Sequence, residues 1–187
     1  ELEQQKTAKQ PTATIVNFIT GLHESGEKII HLDEAETRLI IDQQLRDAGW
    51  EADTVNLSYK SGTRPQKCRN LAIAEWPTGK GDHADYVLFV GLTPLAVVEA
   101  KRIRKDVSAA LGQSMRYSKG YIVKDNETLP EGGPWDGHLV PFLYATNGRP
   151  FLKQLRTKSG IWFRDARVAT NLARPLTGWP TPEGLTD

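Results

Sequence analysis

Ala84-Asp85-Tyr86-Val87-Leu88-Phe89-Val90-Gly91-Leu92-Thr93-Pro94-Leu95-Ala96-Val97-Val98-Glu99-Ala100-Lys101 is the stretch that decides the fold. The runs Tyr86 to Val90 and Leu95 to Val98 are apolar on both faces, as strands in the middle of a sheet are, and Gly91-Leu92-Thr93-Pro94 breaks the chain between them. They predict a buried hairpin. Side chains alternate along a strand, so Glu99 and Lys101 share one face and Ala100 takes the other. A turn centred on Leu92 sets Val90 opposite Pro94 and brings Asp85 opposite Glu99 on that same face, with β-carbons about 4.5–5.5 Å apart. A slip of one residue would send Asp85 through to the far side of the sheet.

Outward from the hairpin, Asp33 and Glu36 read as the start of a helix. Ala35, Leu39, Ile40 or Ile41, Leu45 and Ala48 line one face of it, and Gly49 stops it. Trp50 to Ser58 reads as a strand. Residues 59 to 82 are polar and turn-rich apart from Leu71 to Ala74. Their basic residues Lys60, Arg64, Lys67, Arg69 and Lys80 outnumber Glu75 and Asp82, which fits a solvated loop first and a nucleic-acid contact second. Asp106 opens a second helix that closes at Gly120, and Leu139 to Ala145 reads as another apolar strand. Phe151-Leu152 and Ile161-Trp162-Phe163 suggest short edge strands. Upstream, Ile15, Phe18, Ile19 and Leu22 suggest a short amphipathic helix ended by Gly21 or Gly26. The order helix, strand, hairpin, helix, strand predicts an α/β domain with a mixed central sheet flanked by helices. The domain is placed at 33–175, after an extension at 1–32 and before a linker beginning at 176–187.

Hydrophobic residues at 39% and charged residues at 25% fit a packed domain rather than a disordered tail. With one cysteine, Cys68, no internal disulfide can form, and a reducing cytoplasm is expected. No apolar run reaches the roughly 20 residues that span a bilayer, so no membrane role is expected. The net charge of +1 neither advertises nor excludes a polyanionic partner. Gly79-Lys80-Gly81 lacks both the upstream glycine and the following Ser or Thr of a phosphate-binding loop, so no ATP site is expected.

Ionisable groups in buried strands need a reason. Two carboxylates at hairpin distance repel, and a hard divalent cation would resolve the conflict: Mg²⁺, with Mn²⁺ as substitute, held by Asp85, Glu99 and the carbonyl of Ala100. Beside it Lys101 could orient the attacking water and offset charge building on phosphorus. The bland alternative for Glu99 and Lys101 is a salt bridge at a strand end. Lys101, Arg102, Arg104 and Lys105 place four positive charges in five residues next to the acids. Arg102, Arg104 and Lys105 are therefore assigned to the DNA backbone. Gln113 and Tyr117, four apart, share a helix face that either packs on the sheet or reaches the site.

Ala84-Asp85, the apolar hairpin and Glu99-Ala100-Lys101 resemble the PD-(D/E)xK nuclease signature, without its proline. The chain is further similar to the N-terminal nuclease domain of the R (restriction and translocation) subunit of type I restriction enzymes. Glu36-Thr37-Arg38, Ile41-Asp42, Ala48-Gly49-Trp50, Gln113 with Tyr117, Ala145-Thr146-Asn147-Gly148 and Thr181-Pro182-Glu183-Gly184-Leu185 carry that similarity. The resemblance implies a restriction-endonuclease-like fold and a magnesium-dependent endonuclease acting on double-stranded DNA, with methyltransferase and specificity subunits as partners. Glu36 would project toward the metal, although its spacing from Asp33 equally suits a helix cap. Gln113 and Tyr117 would join Asp85, Glu99 and Lys101 as catalytic residues. Two rivals remain: a RecB-like exonuclease or resolvase with the same metal site, and a non-catalytic DNA-binding or assembly module with the nuclease fold.

Overall fold

The computed structural model describes residues 34–102 and 105–187. The expected helix around Ile15 to Leu22, the Asp33 cap and Arg104 lie outside them. Helix α1 (Glu34–Asp47) leads through Gly49 (φ 97°) into β1 (Glu51–Ala52), β2 (Asn70–Pro77), β3 (His83–Val90) and β4 (Thr93–Ala100). Helix α2 (Val107–Lys119) follows, then β5 (Phe142–Thr146), β6 (Ile161–Asp165), β7 (Arg174–Leu176) and the short α3 (Pro182–Thr186). Among the described residues the strands form one seven-stranded sheet in chain order. β1 pairs parallel with β2 and β4 with β5, and the other neighbours are antiparallel. The parallel step from β4 to β5 needs a crossover, and α2 supplies it. The mixed α/β architecture read from the sequence is thus the one observed.

The helices cover opposite faces. Ile41 and Leu45 of α1, with Ala48 just after it, bury against Ala72, Leu88, Ala96 and Tyr144, while Val107, Ala110 and Leu111 of α2 pack on Leu143, Ala145 and Trp162. Leu39, expected on the buried face of α1, is 59% exposed, because Thr37, Ile41, Gln44 and Leu45 set the inward stripe. α2 begins where Asp106 predicted: its carboxylate accepts from the Ala109 N–H at 2.9 Å, and Gly120 closes the helix.

Three elements differ from the sequence reading. The strand expected from Trp50 to Ser58 is only two residues long, since Asp53 accepts from the N–H groups of Val55 and Asn56 and turns the chain. Where a loop was expected, β2 runs for eight residues, with Leu71, Ile73 and Trp76 buried in the layer that includes Tyr117 of α2. Phe151-Leu152 forms no strand; Ser159 binds both the N–H and the carbonyl of Leu152, and a 3-10 turn (Lys153–Lys158) follows.

The hairpin register reproduces the expected one along its functional half. Tyr86 faces Val98, Val87 faces Val97 and Leu88 faces Ala96, which continued by one residue sets Asp85 beside Glu99. At the turn Val90 faces Thr93 rather than lying opposite Pro94, and an irregularity between Leu88 and Phe89 takes up the difference.

Candidate functional site

Asp85 opens β3, Glu99 nears the end of β4, and both are buried, at 9% and 4% exposure. Their environment is built from three directions. Asp85 Oδ2 accepts from the backbone N–H of Ala100 at 2.7 Å, while its Oδ1 accepts from Arg38, which α1 sends down onto the sheet. The same guanidinium donates to Glu75 Oε1 of β2 at 3.0 Å. Lys101 Nζ lies 2.6 Å from Glu99 Oε1. The salt bridge that the sequence allowed as the bland alternative is therefore present.

Glu75 explains part of this arrangement. Its φ is 51°, and the buried side-chain alternation flips across it: Ala74 packs in the α1 layer, Trp76 in the opposite one. That local distortion of β2 leaves the Glu75 carboxylate within reach of Arg38.

The electrostatics follow from burial. Loss of water first and the adjacent Asp85 second, opposed by Lys101, together raise the Glu99 carboxyl to about 7. Among the described residues, Glu99 Oε2 is buried without a hydrogen-bond partner. Arg38 is pulled down by its burial, but Asp85 and Glu75 outweigh that and hold it above its ordinary value. Tyr117 is raised by burial first and by the Glu99 charge second, with Gln113 hydrogen-bonding against the shift.

These groups line a cleft of about 720 Å³ whose walls include Arg38, Asp85, Glu99, Ala100, Lys101, Arg102, Lys105, Gln113 and Tyr117. Asp106, the N-cap of α2, and Ala109 of its first turn also border it. Of the residues singled out from sequence, Glu36 is exposed and is not among those lining the cleft. Sequence reasoning missed Arg38 and His83, which do line it. Arg38 lies on the same helix as the more conspicuous acid, and its spacing from the apolar face carried no signal of its own.

A hard cation was expected between the carboxylates, and the donor set does not fit one. Mg²⁺ demands near-octahedral oxygen ligands. Here Asp85 meets Arg38 and a backbone N–H, and one oxygen of Glu99 is taken by Lys101. No group of three or more His, Cys, Asp or Glu side chains among the described residues is placed to hold a metal ion. The acids are balanced by protein cations, so the expected Mg²⁺ or Mn²⁺ site on Asp85, Glu99 and the Ala100 carbonyl is corrected.

Comparison with known proteins bears on the rest. Residues 51–187 match the family model described as the type I restriction enzyme EcoKI endonuclease subunit second domain. The type I restriction enzyme EcoKI endonuclease subunit of Escherichia coli (strain K12) is 44% identical over 185 residues, covering 85% of this chain and 16% of that protein. The chain thus spans about a sixth of its relative's length. No solved structure matches. The match to a second domain overturns the expectation of the N-terminal PD-(D/E)xK nuclease domain. With it go the assignments of a deoxyribonuclease and a restriction endonuclease activity to these residues, and the exonuclease or resolvase rival. What the resemblance identified rightly was the larger protein, and the domain within it was misplaced. The chain belongs to the type I restriction enzyme EcoKI endonuclease subunit second-domain family.

Proposed function

We propose that this domain is a non-catalytic DNA-binding module that grips the phosphate backbone of double-stranded DNA in the cleft beside β4. The carrying observation is the cleft's charge balance. Asp85 and Glu99 are each matched by a cation, Arg38 and Lys101, while Arg102 and Lys105 are exposed on the rim and form no ion pair among the described residues. The surplus is positive. The first turn of α2 adds partial positive charge from its backbone N–H groups at the same wall, although the Asp106 cap takes one of them. Gln113 and Tyr117 offer neutral donors within the cleft, suited to fixing a phosphate without changing the charge. Arg104 belongs to the same basic run in sequence.

The mixed sheet flanked by helices supports reading the fold as a restriction-endonuclease-like scaffold used for binding. The domain is proposed to occupy 33–175, with 176–187 laid against it on the way to a motor region. Its setting would be the prokaryotic cytoplasm, within a complex that includes methyltransferase and specificity subunits; the likeness to a bacterial restriction subunit supports this.

The test is fluorescence anisotropy with a labelled DNA duplex at several salt concentrations. Arg102→Gln with Lys105→Gln should weaken binding and flatten the dependence of log K on log salt by nearly two units, at about 0.9 per phosphate contact. Asp85→Asn with Glu99→Gln, which removes negative charge from the cleft, should leave affinity equal or higher. Loss of binding in the second variant, with the fold intact, would sink the proposal.

A further inference from the structure

The basic loop between β1 and β2 holds a second feature. Arg64 Cζ lies 3.5 Å from the centre of the Tyr59 ring, and its Nη1 donates to the carbonyls of Tyr59 at 3.0 Å and Thr63 at 2.7 Å, which fixes the guanidinium plane. Lys124, after α2, brings its Nζ to 5.3 Å from the same ring centre and 4.8 Å from the ring of Trp76. Trp76 is fully buried and meets Tyr59 edge to face at 5.1 Å. The ring that both cations share is thereby anchored in the core.

Two other cations nearby are neutralised. Arg69 of the same loop binds Glu51, and Lys119 binds Asp136. Arg64 and Lys124 are half-buried yet form no ion pair among the described residues. Asp125, next to Lys124 in sequence, forms no ion pair with it among the described residues, and Glu127, whose charge reaches Lys124, accepts from the Tyr121 hydroxyl through Oε2 at 2.7 Å. Two like charges held against one ring repel, and partial burial strengthens that repulsion. Attraction to the ring face offsets only part of it. An oxyanion drawn to both charges at the rim of that ring would offset the rest.

We propose that Arg64 and Lys124, set about Tyr59, form a second phosphate site that takes a backbone phosphate of a nucleic acid. Arg64 presents a planar fork whose remaining N–H groups suit two oxygens, and Lys124 adds a point charge. Lys60 and Lys67, exposed on the same loop, extend the positive surface as a chain of phosphates requires and a lone anion does not. None of these residues lines the cleft beside β4, so the inference is independent of the function proposed there.

The experiment is NMR on the isotope-labelled chain, titrated separately with inorganic phosphate and with a short random-sequence DNA duplex, together with salt-dependent anisotropy. The duplex should shift the Tyr59 ring and Arg64 side-chain signals, and inorganic phosphate should shift the same signals more weakly. Arg64→Gln with Lys124→Gln should lower duplex affinity about tenfold and flatten the salt dependence by nearly two units, while Arg64→Lys retains most of both. Should Arg64→Gln fail to fold, Lys124→Gln alone tests the site through a change of about one unit. Arg102→Gln with Lys105→Gln should leave the Tyr59 response in place, which separates this site from the cleft. Shifts with inorganic phosphate alone would reduce it to a small-anion site and overturn the nucleic-acid assignment. Unmoved signals with both probes, or an unchanged salt dependence in folded variants, would overturn it altogether.

Discussion

The backbone N–H of Ala100 donates to Asp85 Oδ2 at 2.7 Å, fastening the end of β4 to the start of β3 through a buried carboxylate. Asp85 is therefore a structural tie as well as a member of the cleft. Because its other oxygen holds Arg38, one side chain joins β3, β4 and α1.

Removing it should be costly. Asp85→Ala removes the buried carboxylate that the half-buried Arg38 guanidinium pairs with, and breaking a buried pair typically costs about 3–5 kcal/mol. Urea denaturation should show a loss of about 3 kcal/mol, and Asp85→Ala combined with Arg38→Met should recover part of it. Additive losses in the double variant would show that the pair is not coupled.

Glu99 gives a pH dependence with an unusual sign for a carboxylate. Its folded value, raised from 4.5 to about 7, means that the folded chain holds this proton after the unfolded chain has released it. Stability from this group is present below the unfolded value, falls as pH rises from about 4.5 to 7, and is level above that. Glu99→Gln should remove the decline, so that the stability gap between variant and wild type shifts in the variant's favour by on the order of 1 kcal/mol per pH unit across the window. Thermal midpoints measured for both proteins between pH 4.5 and 8 test this; parallel curves would count against it.

Tyr117 and Lys105 should separate two kinds of contact. Burial and Glu99 keep the Tyr117 hydroxyl protonated, so it can donate a neutral hydrogen bond. Tyr117→Phe should cost duplex binding about 1 kcal/mol, some fivefold, with the salt dependence unchanged. Lys105→Gln should lower that dependence by about one unit. Anisotropy over a salt series reads both.

Trp179 is fully buried among Tyr144 and the α1 layer, and its Nε1 donates to Gln44 Oε1 at 3.1 Å. Replacing it by Ala should cost about 3–5 kcal/mol in chemical denaturation. A loss below 1 kcal/mol would mean that residues 176–187 contribute little to this core.

Legibility followed how local each signal was. The Tyr86 to Val90 and Leu95 to Val98 runs needed only alternation and one break to give a hairpin, and the Asp85 to Glu99 pairing survived even though the turn was placed one residue off, because the irregularity at Leu88 and Phe89 compensates. β2 was hidden because Glu75, with positive φ, interrupts its alternation where the apolar stretch should continue through Trp76. Arg38 was hidden because its partners Glu75 and Asp85 are distant in sequence. The charge of the site was read correctly as needing compensation; its source was misread. A metal and two protein cations balance the same pair of acids, and only the third dimension distinguishes them.

Trp50 and Trp179 also give α1 a second attachment. The Trp50 indole donates to the Pro180 carbonyl at 2.8 Å, while Trp179 grips Gln44, on the helix that carries Arg38. That helix is a strut with Arg38 at one end and residues 179–180 clamped toward the other. Mechanical load arriving at the clamp would reach the guanidinium as a change of position, without any signal crossing the sheet.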